Sequence, residues 1–412
     1  MYLTKQLKVP HTEQLDALAL EAGRVYSQCL VYFHRILRKK GVWVRKNDMQ
    51  RYLKTIGFAL HSQTVQGIID TFYESAKSWS SLRLSDPRAR LPHRRRRYFE
   101  VPYKESAIRL VDGRLHLANG GSGKDARPAL VIDWPFGEKP KFLTVNHNGG
   151  YRVNAVYPAE PKSHVKTGIV ASCDLGEVHP AAVCIGGGET IIVNGRIARS
   201  KRRYIEKTKG SFNKKIAATK KGSRRNRMLK AAKNKKTRRL LNQAKDAEHK
   251  QTRAIVSTLE ERRVDTLVVG DVRRLRDTTD IKGPGSQKVH QAPMGRFRRM
   301  LSYKAGLSGI RVEAIGESYT SQTCPCCGER RKPRGRLFIC PRCGLKAHRD
   351  AVGSYNIGKK YLSKYRAEGA GWKPVVGDMA PPASIRFEDG KCSLKKTAPP
   401  RIGRRRILQE AS

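Results

Sequence analysis

Tyr319-Thr-Ser-Gln-Thr-Cys324-Pro-Cys-Cys327-Gly328 and Cys340-Pro-Arg-Cys343-Gly344, followed four residues on by His348-Arg-Asp350-Ala-Val-Gly-Ser-Tyr-Asn-Ile357, form the stretch on which the reading of this chain turns. Two Cys-x2-Cys pairs with twelve residues between them have the spacing of a zinc ribbon. A Cys-Pro-x-Cys-Gly turn lets backbone amides point at thiolate sulfur, and glycine accepts the positive φ this needs. Cys324, Cys327, Cys340 and Cys343 are therefore expected to close the sphere of one structural Zn2+, with Cys326 left as a spare thiol. Asp350 follows at an expected helix start, so a metal-closed module sits beside an acid.

The surroundings are strongly cationic. The 412 residues carry a formal charge of +50 and are 38% hydrophobic, enough for packed cores in two to four domains. Such charge repels itself unless a polyanion neutralises it, and nucleic acid is the expected partner, bound with steep salt dependence. No apolar run approaches the ~20 residues of a membrane span, and the first residues lack the apolar core of a signal peptide, so no membrane partner is expected. Nine cysteines, four of them at metal spacing, fit a reducing compartment; the expected location is a prokaryotic cytoplasm, beside the nucleoid.

Periodicity gives the order of elements. Residues 2–9 read as a strand, and helical spacing runs over about 13–38, 47–58 and 62–82. Short strands separated by Gly, Pro and Asn turns fill 98–158. From about 166 the pattern changes. Gly168-Ile-Val-Ala-Ser-Cys-Asp174 is an apolar strand ending in an acid, with strands expected at 181–185, 190–193, 264–269 and 310–315 and a last helix from about 350 to 361. This order of strands and helices is that of an RNase H-like fold. Such nucleases hold two divalent ions between carboxylates from separate segments, and magnesium selects hard oxygen ligands. Asp174 and Asp350 stand where two of those carboxylates are needed.

These motifs resemble TnpB, the transposon-encoded RNA-guided nuclease, and its descendants, the compact type V CRISPR effectors. The resemblance rests on Asp174-Leu-Gly, on both cysteine knuckles with their Tyr319-Thr-Ser entry, and on His348–Ile357; it is strong over about 166–362. It weakens towards the start, where Arg24-Val-Tyr looks like the family's arginine-aromatic helix. The resemblance implies an α+β multidomain chain. Its parts would be a β wedge or barrel (1–10 and 98–165), a helical recognition bundle (11–97) and a RuvC-like nuclease domain (166–317 and 345–365) with an inserted zinc ribbon (318–344). By composition, rich in Pro, Gly and Arg, residues 366–412 are expected to be a basic tail, disordered or ordered only on binding. One departure stands out. The family carries a glutamate at the end of its fourth strand, where this chain reads Val268-Val-Gly270-Asp271. Gly270 offers no ligand, and Asp271, one residue on, is expected to face the other way. Glu317, at the end of the neighbouring strand, is the expected substitute, with Asp271 in reserve.

The resemblance then implies an RNA-guided, Mg2+-dependent DNA endonuclease with two catalytic ions on Asp174, Glu317 and Asp350, a guide RNA and double-stranded target DNA. Residues 196–253 hold 23 Lys/Arg against 3 Asp/Glu, more than a solvated face requires. The candidate phosphate contacts are Arg94, Arg95, Arg96 and Arg97 beside Tyr98 and Phe99, together with Arg202, Arg203, Arg224, Arg225, Lys235, Lys236, Arg238 and Arg239. Arg349 could face a scissile phosphate, whereas Tyr319, Thr320 and Ser321 are expected to fix the entry to the first knuckle. Two other readings are an RNA-guided repressor that does not cut and a transposase or resolvase that works without RNA.

Overall fold

The computed structural model describes residues 1–121, 126–164, 166–271, 293–333, 335–365 and 372–395. The chain forms two compact units, Met1–Glu160 and Pro161–Ser412.

In the first unit, β1 (Tyr2–Val9) leads into α1 (Glu13–Lys40). Thr12 caps α1 by accepting the Leu15 amide at 3.2 Å, acids occupy its first turn and bases its last, and Gly41 ends it at φ 69°. Two shorter helices follow, α2 (Lys46–Ile56) and α3 (Ser62–Arg83). The strands are β2 (Val101–Lys104), β3 (Ile108–Val111), β4 (Arg114–Leu117), β5 (Leu130–Asp133), β6 (Phe142–His147) and β7 (Tyr151–Pro158). They make two antiparallel sheets, β1-β7-β6-β2 and β3-β4-β5, and hydrogen bonding does not close the described strands into one barrel. Nor do the helices stand apart from the strands: Leu15, Val25, Phe33 and Phe72 share a core with Tyr103, Leu143 and Val153. The expected boundary at 97/98 therefore cuts through one hydrophobic cluster.

The second unit is built on β8 (Val170–Asp174), β9 (Ala182–Ile185), β10 (Glu189–Val193), β11 (Thr266–Gly270) and β12 (Arg311–Ile315). Their order is β12-β11-β8-β9-β10, with β8, β11 and β12 parallel and β8-β9-β10 an antiparallel meander. This is the arrangement expected of an RNase H-like sheet. The basic segment breaks into α4 (Arg196–Ala217) and α5 (Arg224–Glu261) at a turn through Gly222 (φ 83°). α6 (Met294–Leu307) precedes β12, and the ribbon contributes β13 (Leu337–Ile339) and β14 (Lys346–His348) before α7 (Arg349–Tyr365). Among the described residues no helix is long and apolar enough to cross a membrane.

The expected disordered tail is a correction. β15 (Ala383–Glu388) and β16 (Lys391–Lys395) extend the sheet, β15 running parallel to β10. Asp389 (φ 45°) and Gly390 (φ 76°) both lie in the left-handed region, the geometry of a tight hairpin turn that Asp-Gly favours. Ile385 enters the core and Trp372 packs beside Ile357. The rest of that stretch, 366–371 and 396–412, lies outside the described residues.

The two basic helices are tied to α6 through one acid. Glu248, 1% exposed, takes Arg202 on one carboxylate oxygen and Arg296 on the other, the latter at 2.7 Å. Removing one member of a buried ion network strands the others without a counter-charge. Because Arg296 is 31% exposed, part of that cost is screened by water. Glu248→Ala is expected to lower unfolding stability by about 2–3 kcal/mol, measured by denaturant titration.

Candidate functional site

Asp174 is the last residue of β8, whose other four residues are buried, so its carboxyl leaves the sheet from a fixed strand end. α7 crosses above it and makes room with a glycine. A Cβ on Gly353 would stand 2.5 Å from Asp174 Oδ2. Glu317 arrives from beyond β12 into the space that Gly270 leaves empty, where a side chain on residue 270 would strike its Oε2. Asp350 sits in the first turn of α7. Asp174, Glu317, Asp350 and Asp271 all line one cavity of about 1340 Å³. Asp271 does not face away as expected. It lies just past the end of β11, where alternation no longer binds it, and pairs with Arg298 at 3.3 Å.

The electrostatics divide this cavity. Burial, then the charges of Glu317 and Asp350, push the Asp174 carboxyl up to about 8, with Arg349 pulling the other way. Burial, then the charge of Asp271, pushes Glu317 up to about 6. Its Oε2 is buried and has no hydrogen-bond partner among the described residues. Asp350 is held oppositely. Burial raises it, but a 2.6 Å hydrogen bond from His179 Nδ1 and the Arg336 guanidinium at 2.8 Å keep it below the usual carboxylate range. The Asp350 amide donates to His348 Nδ1 at 3.2 Å. One side of the cavity thus holds two crowded carboxyls short of positive charge, the other a carboxylate already clamped.

A buried, unpartnered carboxylate oxygen beside a second carboxylate that resists ionisation is what a divalent cation would relieve, and an oxygen donor set suits Mg2+. Asp174, Glu317 and Asp350 fit that group. His179, His348 and Asp350 also come within 4.8 Å of one another. There, however, His348 Nδ1 accepts an amide and Arg336 occupies the Asp350 oxygen. His179 and Arg336 were missed by sequence reasoning, because neither has a motif of its own and only folding brings them to Asp350.

The four ribbon cysteines converge as expected. Cys324 and Cys343 sulfurs are 3.6 Å apart, Cys327 and Cys340 3.5 Å, and all four ligand atoms lie within 4.8 Å. A tetrahedron with 2.3 Å metal–sulfur bonds has edges of about 3.8 Å, so the quartet fits one zinc ion. Amides of Cys326 and Cys327 point at the Cys324 sulfur, and Gly328 (φ 77°) and Gly344 (φ 73°) turn the two knuckles. Cys326 stays outside the quartet, exposed.

The basic candidates separate. Arg94, Arg95, Arg96 and Arg97 are exposed, yet their backbone is docked, with the Arg96 amide on Ser27 Oγ at 3.1 Å and Arg97 against Gly23. Arg203, Arg224, Arg225, Lys235, Lys236 and Arg239 are exposed on α4 and α5, and Arg238 is half-buried. Arg202 is a correction, since Glu248 draws it inward.

A family described as “Cas12f1-like, TNB domain” matches residues 295–357, and one described as “Probable transposase” matches 154–276. A TnpB-like protein of Methanocaldococcus jannaschii is 30% identical over 114 residues, 27% of this chain and 41% of that protein. The CRISPR-associated endodeoxyribonuclease Cas12f1 of Sulfoacidibacillus thermotolerans is 28% identical over 123 residues, 29% of this chain and 28% of that protein. The chain thus spans under half the length of these two relatives. A “Putative transposase” of M. jannaschii is 31% identical over 87 residues, 19% of this chain and 80% of that protein. Among solved structures, a Cas12f1-sgRNA-target DNA complex shares the fold at TM-score 0.60 and 13% identity, covering 84% of this chain and 82% of that one.

The raised Asp174 carboxyl has a measurable consequence. Between its ordinary 3.8 and about 8 the folded protein keeps a proton that the unfolded chain has lost. Metal-free stability therefore declines as pH rises through that window. Asp174→Asn is expected to flatten the decline, and magnesium to raise Tm more at pH 8 than at pH 5, both read by thermal melts.

Proposed function

This chain belongs to the TnpB-like family of compact type V effectors, and we propose that it is an RNA-guided DNA endonuclease with a single carboxylate centre. The observation that carries the reading is Glu317 in the room vacated by Gly270, beside Asp174. A chain that had given up cutting would have no need to keep two mutually repelling carboxyls together in a buried place.

Asp174, Glu317 and Asp350 would hold two Mg2+ ions. When bound, such ions supply nucleophile activation and leaving-group stabilisation for phosphodiester hydrolysis. The chain's own groups do the positioning. Gly353 lets α7 approach Asp174 closely, and His179 with Arg336 keeps Asp350 ionised and aimed. Arg349 and Arg336 line the same cavity and oppose its negative charge, which lets a phosphate approach. The ribbon cysteines would hold a structural zinc, since four thiolates leave no open position for substrate.

Guide RNA and double-stranded target DNA are the partners this reading assigns. Base pairing would select the sequence while the protein follows heteroduplex shape, a division of labour known in another effector class. The exposed bases of α4 and α5 and the Arg94–Arg97 segment are the proposed backbone contacts. The first unit is the proposed place of the recognition and wedge functions.

Plasmid cleavage with copurified RNA and Mg2+ tests the assignment. Asp174→Ala, Glu317→Ala and Asp350→Ala should each reduce cutting to background, while Asp271→Ala retains it. Gly270→Ala should push Glu317 aside and slow cutting by up to about a hundredfold without unfolding the protein. Full activity in Glu317→Ala removes the assignment. Target binding by the wild type without any cleavage would favour the repressor reading, and cleavage independent of RNA the transposase or resolvase.

A further inference from the structure

Tyr319 lies on the same cavity as the carboxylates, and its backbone is anomalous. Four non-glycine residues among those described have positive φ: Asp112, Arg263, Tyr319 and Asp389. Asp112 and Asp389 each precede a glycine at a hairpin turn, and Arg263 follows the end of α5. Tyr319, at φ 65°, is the aromatic case, and a bulky residue there is strained.

The surrounding bonds impose this conformation. The Tyr319 carbonyl accepts the Gln322 amide at 2.9 Å and the Thr323 amide at 3.1 Å. Asn356 on α7 donates to the carbonyls of Thr320 at 2.8 Å and Thr323 at 2.7 Å. The turn is thereby anchored to the helix that carries Asp350. The ring it holds is not a core residue. It is 58% exposed, and its hydroxyl makes no hydrogen bond among the described residues. The Arg330 guanidinium covers one face of it at 3.1 Å from the ring centroid. Arg330 and the anchored turn together fix the plane of an exposed aromatic ring at the edge of the carboxylate cavity.

We propose that Tyr319 forms a nucleobase subsite, stacking a base of the strand whose phosphodiester lies at Asp174, Glu317 and Asp350. The inference rests on the nuclease reading and specifies how the strand is held. A flat aromatic face recognises a flat heterocycle, and a nucleic-acid strand offers one beside every phosphate. Stacking of this kind tolerates any sequence, as a guided enzyme requires. The part expected of Tyr319 from sequence, fixing the entry to the knuckle, is filled by its backbone, which leaves the ring for the strand.

The test compares Tyr319→Gly and Tyr319→Phe with the wild type in the full ribonucleoprotein. Glycine adopts φ 65° without strain, so Tyr319→Gly should melt no lower than the wild type. A merely structural tyrosine would make it melt lower, and that result overturns the proposal. Cleavage is read on target strands with a single abasic residue moved along the positions near the cut. In the wild type one position should slow cutting about tenfold. Tyr319→Gly should cut the intact strand about tenfold more slowly and lose that sensitivity, while Tyr319→Phe restores the wild-type pattern. A Gly variant that cuts at wild-type rate, or keeps the abasic pattern, overturns the subsite. Should the wild type cut nothing, the nuclease reading falls on its own. The subsite is then judged by affinity for a single-stranded oligonucleotide, where an equal Kd for wild type and Tyr319→Gly overturns it.

Discussion

The site depends on an unfavourable contact: carboxyl groups from β8 and the segment after β12 are packed together with too little positive charge between them. Asp174 and Glu317 resist ionisation there, and Glu317 keeps a buried oxygen with no partner among the described residues. Such an arrangement persists only where the scaffold over-determines it. The scaffold here is a β8 buried up to Asp174, a parallel β11 alongside it, and an α7 whose glycine permits close approach. The same helix also locks the turn that carries Tyr319, so the site's lip and its floor share one support.

Positive charge is distributed unevenly around this centre. Arg202 and Arg296 are used internally, both on Glu248, and they fasten α4 and α6 to α5. The exposed bases of α4 and α5 are thereby carried on a hairpin fixed to the sheet. Charge that a sequence count treats as one pool therefore serves two purposes, and burial distinguishes them.

Much of the second unit was legible in the sequence because its signals are local. An apolar run ending in Asp174 reads as a buried strand, and two Cys-x2-Cys pairs read as a ribbon at any distance from the rest. Glu317 was singled out only through the family resemblance, which calls for an acid where Gly270 stands, together with its place at the end of the neighbouring strand. His179 and Arg336 were not legible, since their meaning comes from a contact spanning 171 residues in one case and 14 in the other. The β15–β16 hairpin did carry a signal, Asp389-Gly390 between β-prone residues, but the basic composition around it concealed the pattern. At 97/98 the limit was of a different kind: the periodicity of α1 and α3 shows that they bury a face, and nothing in it says that strands share the same cluster.

The placement of Glu317 beside Gly270 bears on how a site of this kind is recognised. Gly270 pairs in register with Ile315, and Glu317 lies two residues beyond that partner, so in the proposed reading the carboxyl is supplied from the neighbouring strand. What the proposed chemistry requires is a point in space and a charge, and a residue on either strand can supply them. A lineage with this placement would look extinct in an alignment column while its chemistry continued one strand away.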